Sequence, residues 1–314
     1  MPAKKTTANH NSLLALMEAF PDEESCIRHL EQLRWPTGIV CPRCASTRKI
    51  HRLARGNYKC SDCRNQFSVR KGTIFEESRL PLKKWFAASW LVTANRKGIS
   101  SCQLAREIDV TQKTAWFMLS RLREVAGAMG DSGGSMDGTV EVDETYIGGK
   151  AKNMHASVRK AKIKGRGAVG KAAVLTIIER DGRVRSTHVT TVTQSNLLDV
   201  MRSCISSQSH IMTDESPTYC GAVEQSFASH QTVNHKQGEY VRGDAHVNTS
   251  ESFHSMLKRG VHGIYHHWSV KHLHRYLNEF DARWNMFGLD GGARVDAMLE
   301  STSGLRLTYE RLIK

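Results

Sequence analysis

Two short cysteine motifs constrain this chain more than any other feature. "CPRC" (Cys41, Cys44) and "CSDC" (Cys60, Cys63) are separated by fifteen residues. At that spacing each knuckle supplies two thiolates, and the intervening loop brings the chain back to close a tetrahedron around Zn2+. The alternatives are two disulfides or a redox C-x-x-C pair. The redox pair needs a strand running into a helix, whereas Pro42, Arg43, Ser61 and Asp62 set both motifs in turns. With four protein ligands the metal is structural and leaves no open position for a substrate. Cys26, Cys102, Cys204 and Cys220 fall in helical or strand-like stretches and are expected as buried thiols in a reducing compartment.

The segment around the knuckles is basic, with Lys49, His51, Arg52, Arg55, Lys59, Arg64, Arg70 and Lys71. The whole chain follows suit: 45 Lys and Arg against 31 Asp and Glu give a formal net charge of +14. That balance points to a polyanionic partner. Nucleic acid fits better than an anionic membrane, because no basic amphipathic helix carries a bulky apolar face. A basic ribbon is most simply a nucleic-acid contact, with protein docking as the alternative. No apolar run is long enough to span a bilayer, and "MPAKKTTANHNS" lacks an apolar stretch behind its lysines, so a cytoplasmic location is expected.

Helical periodicity from Ser12 to Arg34 is split by Pro21 into two short helices. After the ribbon, "LPLKKWFAASWLVTANRKGISSCQLAREIDVTQKTAWFMLSRLREVA" parses as three helices, the second capped by Ser100 or Ser101 and the third starting near Gln112. Apolar residues on the third helix face inward, which leaves Lys113, Ser120, Arg121 and Arg123 outside. This is the pattern of a helix-turn-helix-like unit with the third helix reading the major groove, and Lys113 and Arg121 are candidate DNA contacts. A basic three-helix packing module is the plainer alternative. "GDSGGSMDG" (Gly130 to Gly138) reads as a linker.

Past the linker, "TVEVDETYIGGK" places Asp143 in a strand that ends at a Gly-Gly turn. Carboxylates are poor strand formers, so a site rather than propensity has to account for it. "SHIMTDESPTY" ends a second apolar strand in Asp214, and "HVNTSESFHSMLKRG" starts a helix with Glu251 in its first turn and Lys258 seven residues on, on the same face. Three acids at one point repel unless hard divalent cations neutralise them, which is the logic of two-metal phosphoryl chemistry. Such a set belongs to an RNase H-like domain, with Lys258 beside it to hold a phosphate. Glu141 and Glu144 are expected at the surface or behind the ligands. Trp268, Tyr276, Phe280 and Trp284 recur near helical spacing and are expected in a core. His262, His266, His267, His272 and His274 lack a converging spacing and suit packing or phosphate contact. Between Lys150 and Lys171 there are eight Lys or Arg and no acid, so Lys162, Lys164 and Arg166 are candidate DNA-backbone contacts.

These motifs together resemble DDE-type insertion-sequence transposases of the IS fifteen-ninety-five family. The likeness lies in "CPRC…YKCSDCRNQFSVRKGTIFEESRLPLKKW", "VEVDETYIGGK", "MTDES" and "HVNTSESFHSMLKRGVHGIYHHWSVKHLHRYLNEFDARWN", and it spans roughly residues 20 to 290. It implies a multidomain α/β protein, with a zinc ribbon and helical DNA-binding region ahead of an RNase H-like catalytic domain. The implied segments are 1–37 helical, 38–78 ribbon, 79–129 helix-turn-helix-like, 130–138 linker, 139–290 catalytic and 291–314 tail. The implied activity is binding of terminal inverted repeats, cleavage at element ends and strand transfer with Mg2+ or Mn2+, by a homo-oligomer at least dimeric in the synaptic complex, in the prokaryotic nucleoid. Carried over by position, Asp143, Asp214 and Glu251 are the catalytic acids and metal ligands, with Lys258 as their base. Asn248 is an alternative at the third corner. A carboxylate binds a hard cation better than an amide, which favours Glu251. Two further readings stay open: a non-catalytic DNA-binding regulator derived from a transposase, and a nuclease or resolvase without strand transfer.

Overall fold

The structure is a computed structural model that describes residues 10–131, 134–149, 153–164, 168–216, 218–219, 221–234, 237–239 and 241–313. Cys220 and Arg166 lie outside the described residues. The chain forms two compact units, residues 1–129 with 286–314, and residues 130–285.

In the first unit, helix α1 (Leu13–Ala19) is capped by Ser12, whose hydroxyl accepts from the Ala15 N–H. Helix α2 (Glu23–Arg34) starts with a capping box between Asp22 and Ser25. The expected break at Pro21 falls between them. Strands β1 (Ile50–Arg52), β2 (Asn57–Cys60) and β3 (Gln66–Ser68) make an antiparallel sheet in which Tyr58 lies opposite Phe67. Trp35 packs edge-on against both rings, giving this small module an aromatic core in addition to its cysteines.

Helices α3 (Leu82–Ala94), α4 (Ser101–Glu107) and α5 (Gln112–Asp131) follow, with Ser100 capping α4 through the Gln103 N–H and Asp109 turning the chain at φ 50°. The expected exposure of α5 is overturned in part. Ser120, Arg121 and Arg123 are all buried. The Arg121 guanidinium donates to the carbonyls of Leu307, Ile74 and Glu76, so it braces the interior and cannot serve as a DNA contact. Lys113, one residue into the helix, is exposed. Cys26 is buried, and burial pushes its thiol up to about 12; Cys102 is exposed, against expectation, because its position on α4 faces away from Leu104 and Ala105.

In the second unit, strand β4 (Thr139–Ile147) is central to a five-stranded sheet with β5 (Ala172–Glu179), β6 (Val184–Val189), β7 (His210–Asp214) and β8 (Ser229–Val233). The order is β6-β5-β4-β7-β8, with β4, β5 and β6 antiparallel and β7 and β8 parallel to β4. Counted from its own first strand this is 3-2-1-4-5, the RNase H-like arrangement. Helix α6 (Ala156–Lys162) lies between β4 and β5 in sequence, and α7 (Gln194–Cys204) between β6 and β7. Leu197, Leu198 and Met201 of α7 cover one face of the sheet over Val140, Val142, Leu175, Ile177 and Ile211. Phe253 and Leu257 of helix α8 (Asn248–Gly260) and Leu277 and Phe280 of α9 (Leu273–Asn285) cover the other face over Ile147, Val174 and Ile178. Burial on both faces explains why β5 reads as an apolar run broken only by the buried Thr176 before its final Glu179. Trp268 and Phe280 are in this core, with Tyr276 and Trp284 partly buried against it. Met136, inside the Gly-rich stretch read as a linker, is 4% exposed and bridges to Ile205.

Residues 286–314 return to the first unit. They carry α10 (Gly291–Glu300), capped by Asp290, and α11 (Tyr309–Ile313).

Candidate active site and zinc centre

The four ribbon cysteines are brought together by two matching knuckles. Each is followed by a residue in the left-handed region, Ala45 at φ 56° and Arg64 at φ 59°, which reverses the chain and points both sulfurs of the knuckle inward. Their Sγ atoms all lie within 4.8 Å of one another, with Cys41 3.6 Å from Cys63 and Cys44 3.7 Å from Cys60. A disulfide requires about 2.05 Å, whereas sulfurs on a tetrahedral zinc with bonds of about 2.3 Å sit roughly 3.7 Å apart. The donor set and its spacing fit zinc.

The acids of the second unit assemble from the sheet register. β4 and β7 pair in parallel up to Glu141 and Met212, so Asp143 and Asp214 stand two residues further along both strands at the same level. Carboxylate oxygens of Asp143, Glu144 and Asp214 all lie within 4.8 Å of one another. Burial pushes the Glu144 carboxyl up to about 7, and the charges of Asp143 and Asp214 push it the same way. The buried Tyr219 phenol beside Glu144 is raised well above its ordinary range, first by burial and then by that carboxylate. Three carboxylates this close are poorly tolerated without a counter-charge, and an all-oxygen set suits a hard divalent cation.

Asp143 is held on both oxygens. Its Oδ1 accepts from the Glu144 N–H at 2.8 Å, and its Oδ2 lies 3.4 Å from Nδ1 of His254. The same buried imidazole reaches the Thr176 hydroxyl through Nε2 at 3.0 Å.

Glu141 is completely buried, which excludes the first of the two positions expected for it, at the surface or behind the ligands. The strand pleat puts it on the same face as Asp143, under the start of α8. Helix α8 has no capping side chain of its own. Instead the Glu141 carboxylate accepts from the Thr249 N–H at 2.9 Å, the Ser250 N–H at 3.0 Å and the Thr249 hydroxyl at 2.9 Å. An anion against the free amides and positive pole of a helix start is doubly favoured. Arg180 lies 3.3 Å from the same carboxylate and balances its charge, and Nδ1 of His246 lies 3.2 Å from it. Glu141 is therefore the cap of a helix whose first residue, Asn248, lies 107 residues later in the chain.

Of the acids expected at the site, Asp143 and Asp214 converge. Glu251 lies on the exposed side of the first turn of α8 and is not in the carboxylate group; Asn248 is exposed as well. Lys258 lines a cleft of about 360 Å³ together with Glu144, Tyr146, Gly148, Lys171 and His262. Lys164 is exposed, while the Lys162 side chain and Arg166 fall outside the described residues. Glu144, Glu141 and His254 escaped the sequence reading. Only the clustering of three acids in four residues of β4 hinted at the first two.

The fold and the two sites define a zinc-ribbon protein with an RNase H-like domain, the build of a DDE-type transposase. Residues 21–66 match the transposase zinc-ribbon domain and residues 135–285 the ISXO2-like transposase domain, two models of one family that together take in more than half of the chain. Over 299 residues the chain is 29% identical to an uncharacterized protein in transposable element ISH50 of Halobacterium salinarum, covering 91% of this chain and 98% of that protein. The chain thus carries both the zinc-ribbon and the DDE transposase domains of the IS1595 family. No helix among the described residues is long and apolar enough to cross a membrane.

Proposed function

We propose that the protein binds the terminal inverted repeats of an insertion sequence, cleaves DNA at the element ends and joins the 3′-hydroxyl ends to target DNA. The observation that carries this reading is the convergence of Asp143, Asp214 and Glu144 on the paired inner strands β4 and β7 of an RNase H-like sheet, beside a cleft lined by Lys258. Asp143 and Asp214 hold divalent cations, Mg2+ or Mn2+. When bound, a pair of such ions activates the attacking oxygen and stabilises the leaving one. The residues of the chain do the rest. His254 and the Glu144 N–H fix the orientation of Asp143, Lys258 takes a backbone phosphate in the cleft, and the Glu141 tie sets how α8 approaches the acids. Glu251, two turns before Lys258, supplies the third catalytic carboxylate from the helix, and Glu144 supports it from the strand.

End recognition belongs to the ribbon and to the exposed start of α5, where Gln112 and Lys113 stand in the position from which recognition helices reach base edges. Lys164 adds a backbone contact. Two element ends are processed together, so the working form is at least a dimer, acting on the nucleoid in the cytoplasm.

The test is a labelled element end incubated with purified protein and Mg2+. Strand-transfer products support the reading, cleavage alone indicates a nuclease, and binding without cleavage indicates a regulator. In the same assay Glu251→Gln should abolish cleavage and Glu144→Gln should only slow it. The reverse ranking would move the third ligand to the strand.

A further inference from the structure

A second cluster of metal-ligating side chains lies in the first unit, apart from the ribbon cysteines. His10 precedes α1, His29 sits in the middle of α2, and Asp296 sits in the middle of α10. Both imidazoles present Nε2 to the same oxygen, Oδ1 of Asp296, at 3.3 Å from His10 and 2.7 Å from His29. All three donor atoms lie within 4.8 Å of one another. The rings stand nearly perpendicular, at 85° with centroids 5.8 Å apart, so both nitrogens can face one point without the rings colliding. Phe20 packs against both, and Phe86 against His29, which walls the cluster with aromatic surface.

We propose that His10, His29 and Asp296 bind a second zinc ion, which fastens the N-terminal segment to helices α2 and α10 of this unit. Two imidazoles and a carboxylate form a donor set suited to zinc, with a water completing the tetrahedron. On a zinc with bonds of about 2.0 to 2.1 Å, neighbouring donors stand roughly 3.3 Å apart. The His10 separation already has that value, and it is longer than a good N–H···O hydrogen bond. The His29 pair has to open by roughly half an ångström, a shift within reach of an Asp rotamer. The segment bearing His10 is docked independently of the imidazoles. The Asn11 side chain accepts from the Gly292 N–H, and a Cβ on Gly291 would lie 2.7 Å from the Asn11 carbonyl oxygen. The ligand from this segment is thus held in place before a metal arrives, which lowers the ordering cost of binding. The plain alternative is a hydrogen-bonded triad in which Asp296 accepts from two neutral imidazoles.

Metal content of the full-length, untagged protein separates the two. With Mg2+ in excess to keep the carboxylates of the other unit from taking zinc, the protein should retain two zinc ions per chain after exhaustive dialysis. His29→Gln and His10→Gln should each retain one. Glutamine still donates a hydrogen bond to Asp296, so a triad would survive the change while a zinc site would not. In the cobalt-substituted protein, thiolate charge-transfer bands report the ribbon, and they should be unchanged in both variants while the remaining visible absorption falls to that of a four-thiolate site alone. Circular dichroism unchanged from the parent shows that the variants fold. One zinc ion per chain in the parent, or two in both glutamine variants, overturns the proposal.

Discussion

The ribbon and the carboxylate site both gather ligands around a point, yet they are built in opposite ways. The ribbon takes four ligands from 23 consecutive residues, and two left-handed turns do most of the positioning. The carboxylate site takes Asp143 and Asp214 from two strands 71 positions apart in sequence and needs the whole sheet to set their level. Its neighbour α8 is in turn anchored by a carboxylate from β4. A site made of local turns depends on its metal for folding, whereas a site made of distant strands depends on the core for its shape. The first should collapse without metal and the second should not.

The strongest challenge to that contrast is removal of zinc. Structural zinc in such modules is worth about 10 kcal/mol or more of folding free energy. Chelation or Cys60→Ser should therefore unfold the ribbon and abolish specific binding of element ends, while the circular dichroism of the five-stranded unit persists. Loss of both signals together would mean that the two sites do not differ as argued. Next in size, Asp143→Asn or Asp214→Asn should cut cleavage on the order of a thousandfold or more, since a charge serving the transition state is lost. End binding and thermal stability should stay within experimental error of the parent. Retained cleavage would remove these residues from the site.

A smaller effect concerns the core that shapes the second site. Asp281 on α9 is buried and accepts from the Ser186 N–H and hydroxyl, and burial pushes its carboxyl up to about 7. The unfolded group titrates near 4, so between roughly pH 4 and 7 the folded protein holds a proton that the unfolded chain has released. Stability from this group is complete below pH 4 and declines as pH rises through 7, by at most about 4 kcal/mol. Asp281→Asn should flatten the dependence of Tm on pH across that window; an unchanged slope would show that the carboxyl is not held neutral. Smallest is Glu141→Gln, which preserves shape but replaces one acceptor with an N–H2 facing Arg180, His246 or the helix amides. A loss of cleavage of about tenfold is expected, in the range seen when groups behind metal ligands are changed, with cysteine-bound zinc untouched. Full activity would mean that α8 keeps its place without this tie.

Legibility in the sequence followed the same division. The cysteines could be read because their spacing alone encodes the geometry. Asp143 and Asp214 could be read because each ends or interrupts an apolar strand. Glu141 could not, since one more acid among acids looks solvated, and its partners Thr249, Ser250, Arg180 and His246 come from other parts of the chain. Arg121 misled for the opposite reason. A basic residue on an amphipathic helix suggests a solvent face, but the carbonyls of Leu307, Ile74 and Glu76 enclose it from elements that share no local pattern with α5.

The distant cap on α8 also bears on how such proteins can be recombined. A chimera that joins this helix start to a strand with no acid at the position of Glu141 leaves the Thr249 and Ser250 amides without their anion. Successful grafts should cross over outside the stretch from Glu141 to Ser250, so that strand, arginine and helix are inherited as one piece.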